Sequence, residues 1–380
     1  MPQGRQPCKP EVWANGGALE AGKLRTAQQH QGRLVDYLNN GFKAILSAML
    51  VSSSALAAGT DAIVIDDPAY THAQRLVEIE PGRKLNLYCT GKGSPTVVFD
   101  SGVTGETVGW ALVQPAIAAH TRACSYDRAG TGFSDPGIRT GTSENIVDDL
   151  HRLLNAAAIA PPYILVGHSY GGMNVRLYKD HYPSEVVGMV LVDPSHEDWV
   201  ERVWKLSALQ RPHEKRFTDF EPMWQGEREC VRAATVGFIE GSELYEKCIS
   251  EPDPHLSEAI NAAYLKTHLS LGYQQAGLTE DENLHFASSD QVREARMWYG
   301  DMPLIVLAAG DRPGLRAGES QAHHDAVNRL WFTLFDELAA LSSRGVNRVV
   351  PNTGHDIPMT QPGAINSAIL EAMDMASKAK

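Results

Sequence analysis

The chemistry written into this chain centres on one serine. Gly167-His168-Ser169-Tyr170-Gly171 follows the apolar run Tyr163-Ile164-Leu165-Val166 and precedes a helix-compatible segment, Met173 to Tyr182. A strand that enters a helix through G-x-S-x-G carries its serine on a sharp, strained turn, with the hydroxyl above the sheet edge. Glycines at 167 and 171 remove side chains that would collide there. The first amide of the following helix, that of Tyr170, then faces a developing oxyanion, as does the positive end of the helix dipole.

A serine hydroxyl is a weak nucleophile until a base takes its proton, and that base needs a third group to hold its tautomer. Among fourteen histidines, His355 is placed for this task, in the loop Asn352-Thr353-Gly354-His355 after the last apolar run, Asn347 to Pro351. His168 is too constrained to turn back on its neighbour. His323 and His324 are adjacent and point to different helix faces, so they do not form a metal pair. Two aspartates compete for the third role. Asp193 closes the run Val186–Val192 and sits in the compact loop Val192–Glu197, which favours it. Asp311 follows the next run, Pro303 to Ala308, and is the alternative acid; Glu319 is a more remote one. A second oxyanion amide is expected from Val103, just past Ser101-Gly102 at the end of the run Pro95–Asp100.

Elements that could hold these residues alternate along the chain. Ala73–Glu80 and Lys84–Tyr88 read as a hairpin around Pro81-Gly82. Strand-like runs at 95–100, 122–126, 163–166, 186–192, 303–308 and 347–351 are separated by helix-compatible segments at 111–120, 143–158, 325–342 and 364–376. The 143–158 helix is read as capped by its leading serine. This rhythm implies an α/β fold, a mostly parallel sheet with helices on both faces. It breaks between His196 and Tyr299, a helical, aromatic-rich stretch expected to be an inserted cap over the sheet edge. The expected organisation is therefore a leader at 1–57, a core in two parts at 58–195 and 301–380, and the insertion at 196–300.

The leader has the form of an export signal: Lys43, an apolar run from Ala44, then Ala55-Leu56-Ala57 before Ala58. The run is too short and serine-rich to span a bilayer comfortably. Its distance from Met1 points to a start near Val35 or to extraneous first residues. Removing 1–57, with six basic and three acidic residues, takes the formal charge from −12 to −15. That acidity, with no basic run, argues against nucleic acid and anionic membrane as partners. Cys8 falls in the leader, leaving Cys89, Cys124, Cys230 and Cys248. Three pairings are open, and 89–124 with 230–248 keeps each bond within one structural unit. The spacing suggests neither a metal nor a redox site, and no cofactor is expected.

Three stretches together resemble the α/β-hydrolase superfamily over residues 73–195 and 301–376: Gly167–Gly172, Tyr126-Asp-Arg-Ala-Gly-Thr-Gly-Phe-Ser-Asp135, and Thr353-Gly-His355. The resemblance implies an α/β-hydrolase fold with a serine nucleophile, a histidine base and an oxyanion loop, falling on Ser169, His355 and Val103. Most members place the acid after the later strand, and a minority, including lactone-hydrolase-like enzymes, after the earlier one, as Asp193 would be. Ser101-Gly102 replaces the familiar His-Gly of the oxyanion loop. A serine at 169 argues against the haloalkane dehalogenase and epoxide hydrolase branches, where an aspartate stands. The expectation is a secreted or periplasmic serine esterase for a small, hydrophobic or aromatic ester. A lactonase, an amidase, a perhydrolase and a non-catalytic small-molecule binder are the alternatives.

Overall fold

The computed structural model describes residues 64–206, 213–315 and 319–378, with backbone alone at 213–219. The expected leader, its export signal and Cys8 lie outside the described residues.

Chain order begins with β1 (Leu76–Glu80), β2 (Arg83–Thr90), β3 (Thr96–Asp100), α1 (Gln114–Ala118) and β4 (Ala123–Tyr126). It continues through α2 (Ser143–Ala156), β5 (Tyr163–His168), α3 (Tyr170–His181) and β6 (Val186–Val192). Six helices follow: α4 (Trp199–Leu206), α5 (His213–Val236), α6 (Glu243–Cys248), α7 (Glu258–His268), α8 (Leu271–Leu284) and α9 (Ala287–Ala295). Then come β7 (Leu304–Ala309), α10 (Gln321–Ala339), β8 (Gly345–Val350), α11 (Ile357–Thr360) and α12 (Pro362–Ser377). The eight strands form one sheet in the order β1-β2-β4-β3-β5-β6-β7-β8. β1 and β2 are antiparallel, β2 joins β4 antiparallel, and every pairing from β4 to β8 is parallel.

The central strands are apolar on both faces because both are covered. Along β5, Ile164 and Val166 face one apolar layer with Ile117 of α1 and Ile365 and Ile369 of α12. Leu165 faces the other, with Leu150 and Leu153 of α2, Met173 and Leu177 of α3, and Phe335 and Leu338 of α10. One local expectation is corrected. The cap of α2 is Thr142, whose hydroxyl accepts the Asn145 N–H at 3.3 Å, one residue before the serine expected there. Thr142 is the residue left with extended backbone (ψ 153°), the geometry a capping side chain needs.

Both disulfides are those chosen from the sequence. Cys89–Cys124 joins registered neighbours on β2 and β4, and Cys230–Cys248 ties α5 to α6. The helical segment α4–α9 enters after β6 and returns before β7, and Trp204, Phe220, Trp224 and Phe286 pack together within it. Among the described residues, no helix is long and apolar enough to cross a membrane.

Candidate active site

Parallel strands deliver their carboxyl ends to a single edge, and the loops leaving that edge carry the candidate residues. Loop 101–105 leaves β3, Ser169 follows β5, Asp193 follows β6, Asp311 and Arg312 follow β7, and His355 lies beyond β8.

Ser169 occupies φ 52°, ψ −120°, a conformation L-residues rarely adopt, between the last residue of β5 and the first of α3. Its N–H donates to Val192 O (3.1 Å), and its carbonyl accepts from Gly172 (3.0 Å) and Ser195 (2.8 Å), so neighbouring segments hold the turn. A Cβ on Gly171 would stand 2.2 Å from the Asp100 carbonyl oxygen, which excludes any side chain there. Gly102 lies against the serine: a Cβ on it would be 3.2 Å from Ser169 Cβ and 3.7 Å from its Oγ. The loop after β3 therefore passes against the serine, and Val103 follows Gly102 in it, while the Tyr170 amide follows Ser169. Tyr170 is the first residue of α3, where no intrahelical acceptor exists.

His355 and Asp193 form a pair. Nδ1 of the imidazole lies 2.7 Å from Asp193 Oδ2, and the aspartate side chain is only 1% exposed. An ionised carboxylate in this contact accepts from Nδ1–H and leaves Nε2 as the free basic nitrogen. Burial works against the charged form of Asp193. The hydrogen bond and charge of His355, the Arg312 guanidinium and the Ala309 N–H outweigh it and hold the carboxyl at about 2. Asp311 is not at this contact. It is exposed, and its N–H donates to Thr353 O (2.9 Å), fixing the loop that carries His355. Glu319 stands beside His323 and His324, at 3.9 and 3.5 Å.

His168 has a use the sequence did not suggest. Burial, with the nearby His355, pulls it down to about 3, so it is neutral, and its Nε2–H donates to the His355 carbonyl at 2.9 Å. The two rings are 4.7 Å apart between centroids. This bond ties the histidine loop to the last residue of β5, beside the serine.

Two buried guanidiniums also escaped the sequence reading. Arg128 donates to Asp100 Oδ1 (2.8 Å), to the Ser101 carbonyl (2.9 Å) and to the Gly102 carbonyl. From α8, Glu280 takes the other side of Arg128 (2.7 and 2.8 Å) and accepts the Thr104 N–H at 2.8 Å. Val103 is thus bracketed on both sides by one ion-pair network that joins the inserted helices to the core. Arg128 lies inside the stretch Tyr126–Asp135, but its partner is 152 residues distant, which no local pattern reveals. Arg312 lies behind Asp193. Among the described residues, no cluster of three or more histidine, cysteine or carboxylate groups could hold a metal ion.

A sheet of this order, with a strained serine between strand and helix and a histidine beyond the last strand, has the α/β-hydrolase fold. A family model described as alpha/beta hydrolase fold matches residues 95–221. An uncharacterized protein of Bacillus subtilis (strain 168), YqjL, is 22% identical over 281 residues, covering 74% of this chain and 84% of its own. Among solved structures, a haloalkane dehalogenase, the DbeA-M1 loop variant from Bradyrhizobium elkanii, superposes with a TM-score of 0.54 at 17% identity. It covers 80% of this chain and 97% of that one. A bromoperoxidase from Bacillus anthracis gives 0.52 at 16% identity, covering 79% and 99%. The chain is thus similar to the α/β hydrolases and shares their fold.

Proposed function

We propose that this protein is a serine hydrolase that cleaves a carboxylic ester through an acyl-enzyme on Ser169. In this reading His355 takes the serine proton and returns it to the leaving alcohol. Asp193 holds the imidazole tautomer and stabilises the imidazolium, and the Val103 and Tyr170 amides bind the oxyanion. Water, activated by the same histidine, then releases the acid. The observation that carries the reading is the 2.7 Å contact between His355 Nδ1 and Asp193, on a loop bonded to the residue before Ser169. A nucleophile on a turn, a base and an orienting acid converge on one edge, as acyl transfer requires. The aromatic packing in α4–α9 favours a hydrophobic or aromatic ester of small to moderate size.

Turnover of p-nitrophenyl acetate and butyrate tests the chemistry. Ser169→Ala should lose activity by about 10³-fold or more, and a fluorophosphonate should label Ser169. Undiminished turnover in the variant, or labelling elsewhere, would overturn the mechanism. We further infer that the protein is exported, to the periplasm or the exterior. Two disulfides support this, since such bonds persist in oxidising compartments. The N terminus of the purified protein is its test.

A further inference from the structure

The Asp193–His355 pair is not alone at its edge of the sheet. Arg312, three residues beyond Ala309, which ends β7 and itself bonds Asp193, turns its guanidinium onto the same carboxylate. Nη2 lies 3.0 Å from Asp193 Oδ1 and Nη1 3.4 Å from Oδ2. Oδ1 also accepts the Ala309 N–H at 3.0 Å, and Oδ2 is the oxygen that holds His355. Both carboxylate oxygens are therefore fixed from the protein side before the imidazole is counted.

The guanidinium is itself held. Its carbon stands over the rings of Trp331 (5.2 Å), Phe332 (5.2 Å) and Phe335 (5.5 Å) on α10, and the side chain is 9% exposed. A planar cation stacked on aromatic faces and forked onto a carboxylate is a use that lysine cannot reproduce.

We propose that Arg312 is a positioning residue for the Asp193–His355 pair, fixing the carboxylate and offsetting its charge so that the imidazole remains a free base at lower pH. The inference rests on the reading of His355 as the base. While His355 is neutral, Asp193 would otherwise be a buried anion without a counter-charge, a costly state. Arg312 supplies that charge in the resting state. Once His355 is protonated, the same cation reduces the net attraction the imidazolium feels. Protonation of the resting base by solvent is thereby disfavoured, and activity extends to lower pH.

Other titratable groups bear on the imidazole. His168 faces it from β5 and is neutral. Asp356 follows it in the chain, with Asp253 and His255 beyond. None of these touches the Asp193 carboxylate, so removing Arg312 alters the pair's own charge balance while leaving them in place.

The test uses two neutral variants, Arg312→Met and Arg312→Gln, with Arg312→Lys as the charge-keeping control. The acid limb of kcat/KM for p-nitrophenyl butyrate should move to higher pH by about one pH unit in each neutral variant, the size expected for a charge at this range. Arg312→Lys should hold the wild-type limb while losing plateau kcat through poorer geometry. A limb that stays put in a folded neutral variant overturns the proposal, whatever happens to the plateau. If only the lysine variant folds, a wild-type limb supports the proposal, and a limb displaced upward overturns it. A second readout does not depend on turnover. In a Ser169→Ala background, the NMR titration midpoint of the His355 ring should move upward by the same amount when Arg312 is replaced by methionine or glutamine, and an unmoved midpoint overturns the proposal. Turnover surviving in Ser169→Ala would refute the serine mechanism alone, because the NMR arm still judges Arg312.

Discussion

Replacing Glu280 separates a structural account of the Ser101–Thr104 loop from a catalytic one. The side chain is 3% exposed and makes three bonds: two to Arg128, at 2.7 and 2.8 Å, and one to the Thr104 N–H at 2.8 Å. Glu280→Ala leaves Arg128, 3% exposed, with Asp100 as its remaining carboxylate partner and leaves the Thr104 amide without its acceptor. Breaking one side of a buried ion pair costs about 3–5 kcal/mol. For a domain of this size, 1 kcal/mol moves Tm by roughly 2–4 °C, so a fall on the order of 10 °C is expected. The second consequence is local. Arg128 holds the carbonyls of Ser101 and Gly102, and Glu280 holds the next amide after Val103, so freeing one end lets the Val103 N–H wander. Losing one oxyanion donor outright costs about 10²–10³ in kcat; a loosened donor should cost about 10-fold or more, with KM nearly unchanged, at a temperature well below melting. Glu280→Gln keeps the volume and one acceptor for Thr104, and should recover most of kcat while remaining less stable than wild type. Calorimetry and steady-state kinetics with p-nitrophenyl butyrate give both numbers. A Glu280→Ala protein with Tm within about 2 °C and kcat within about twofold of wild type would refute the bracketing of Val103.

Two further outcomes follow from the site. Asp193→Asn should lower kcat by about 10⁴-fold, because an amide facing Nδ1 favours the wrong tautomer. Asp311→Asn should cost less than about threefold, since its side chain is exposed and its structural bond is made by the backbone; comparable losses in the two would refute the assignment of the acid. N-terminal sequencing of protein purified from its native host should begin near Ala58, and a chain still starting at Met1 would refute export.

Much of the frame could be read from periodicity. The apolar runs fall on strands because each central strand is buried on both faces, so composition alone marks them. The strained turn at Ser169 was legible because a turn this tight admits only glycine at 171, and that demand leaves a mark in the sequence. The choice between Asp193 and Asp311 was harder, since β6 and β7 are neighbours and both aspartates follow strands on one edge. What separates them is where the groups go: the Asp193 carboxylate is buried against His355 at 2.7 Å, whereas Asp311 is exposed and spends its N–H on Thr353. Arg128 and Glu280 were illegible as partners because helices inserted between β6 and β7 bring them together. Arg312 offered a faint signal, a cation next to Asp311, one of the two candidate acids.

Backbone strain explains why so many buried charges gather here. Among the described residues, five other than glycine have positive φ, and four of them, Thr104, Ser169, Asp193 and Asn352, lie in the loops at this edge. Each such conformation costs on the order of 1–3 kcal/mol and persists only where its surroundings over-determine it. The surroundings supply that here. Thr104 is held by Glu280, Ser169 by Val192 and Ser195, and Asp193 by Leu307, Ala309 and Arg312. A loop free to relax would move Ser169 away from Gly102 and loosen the contact between His355 and Asp193. The buried guanidiniums therefore do more than satisfy buried carboxylates. They also hold two of the four strained residues, Arg128 acting through Glu280 on Thr104 and Arg312 directly on Asp193, so part of the edge's geometry and the stability of the fold rest on the same bonds.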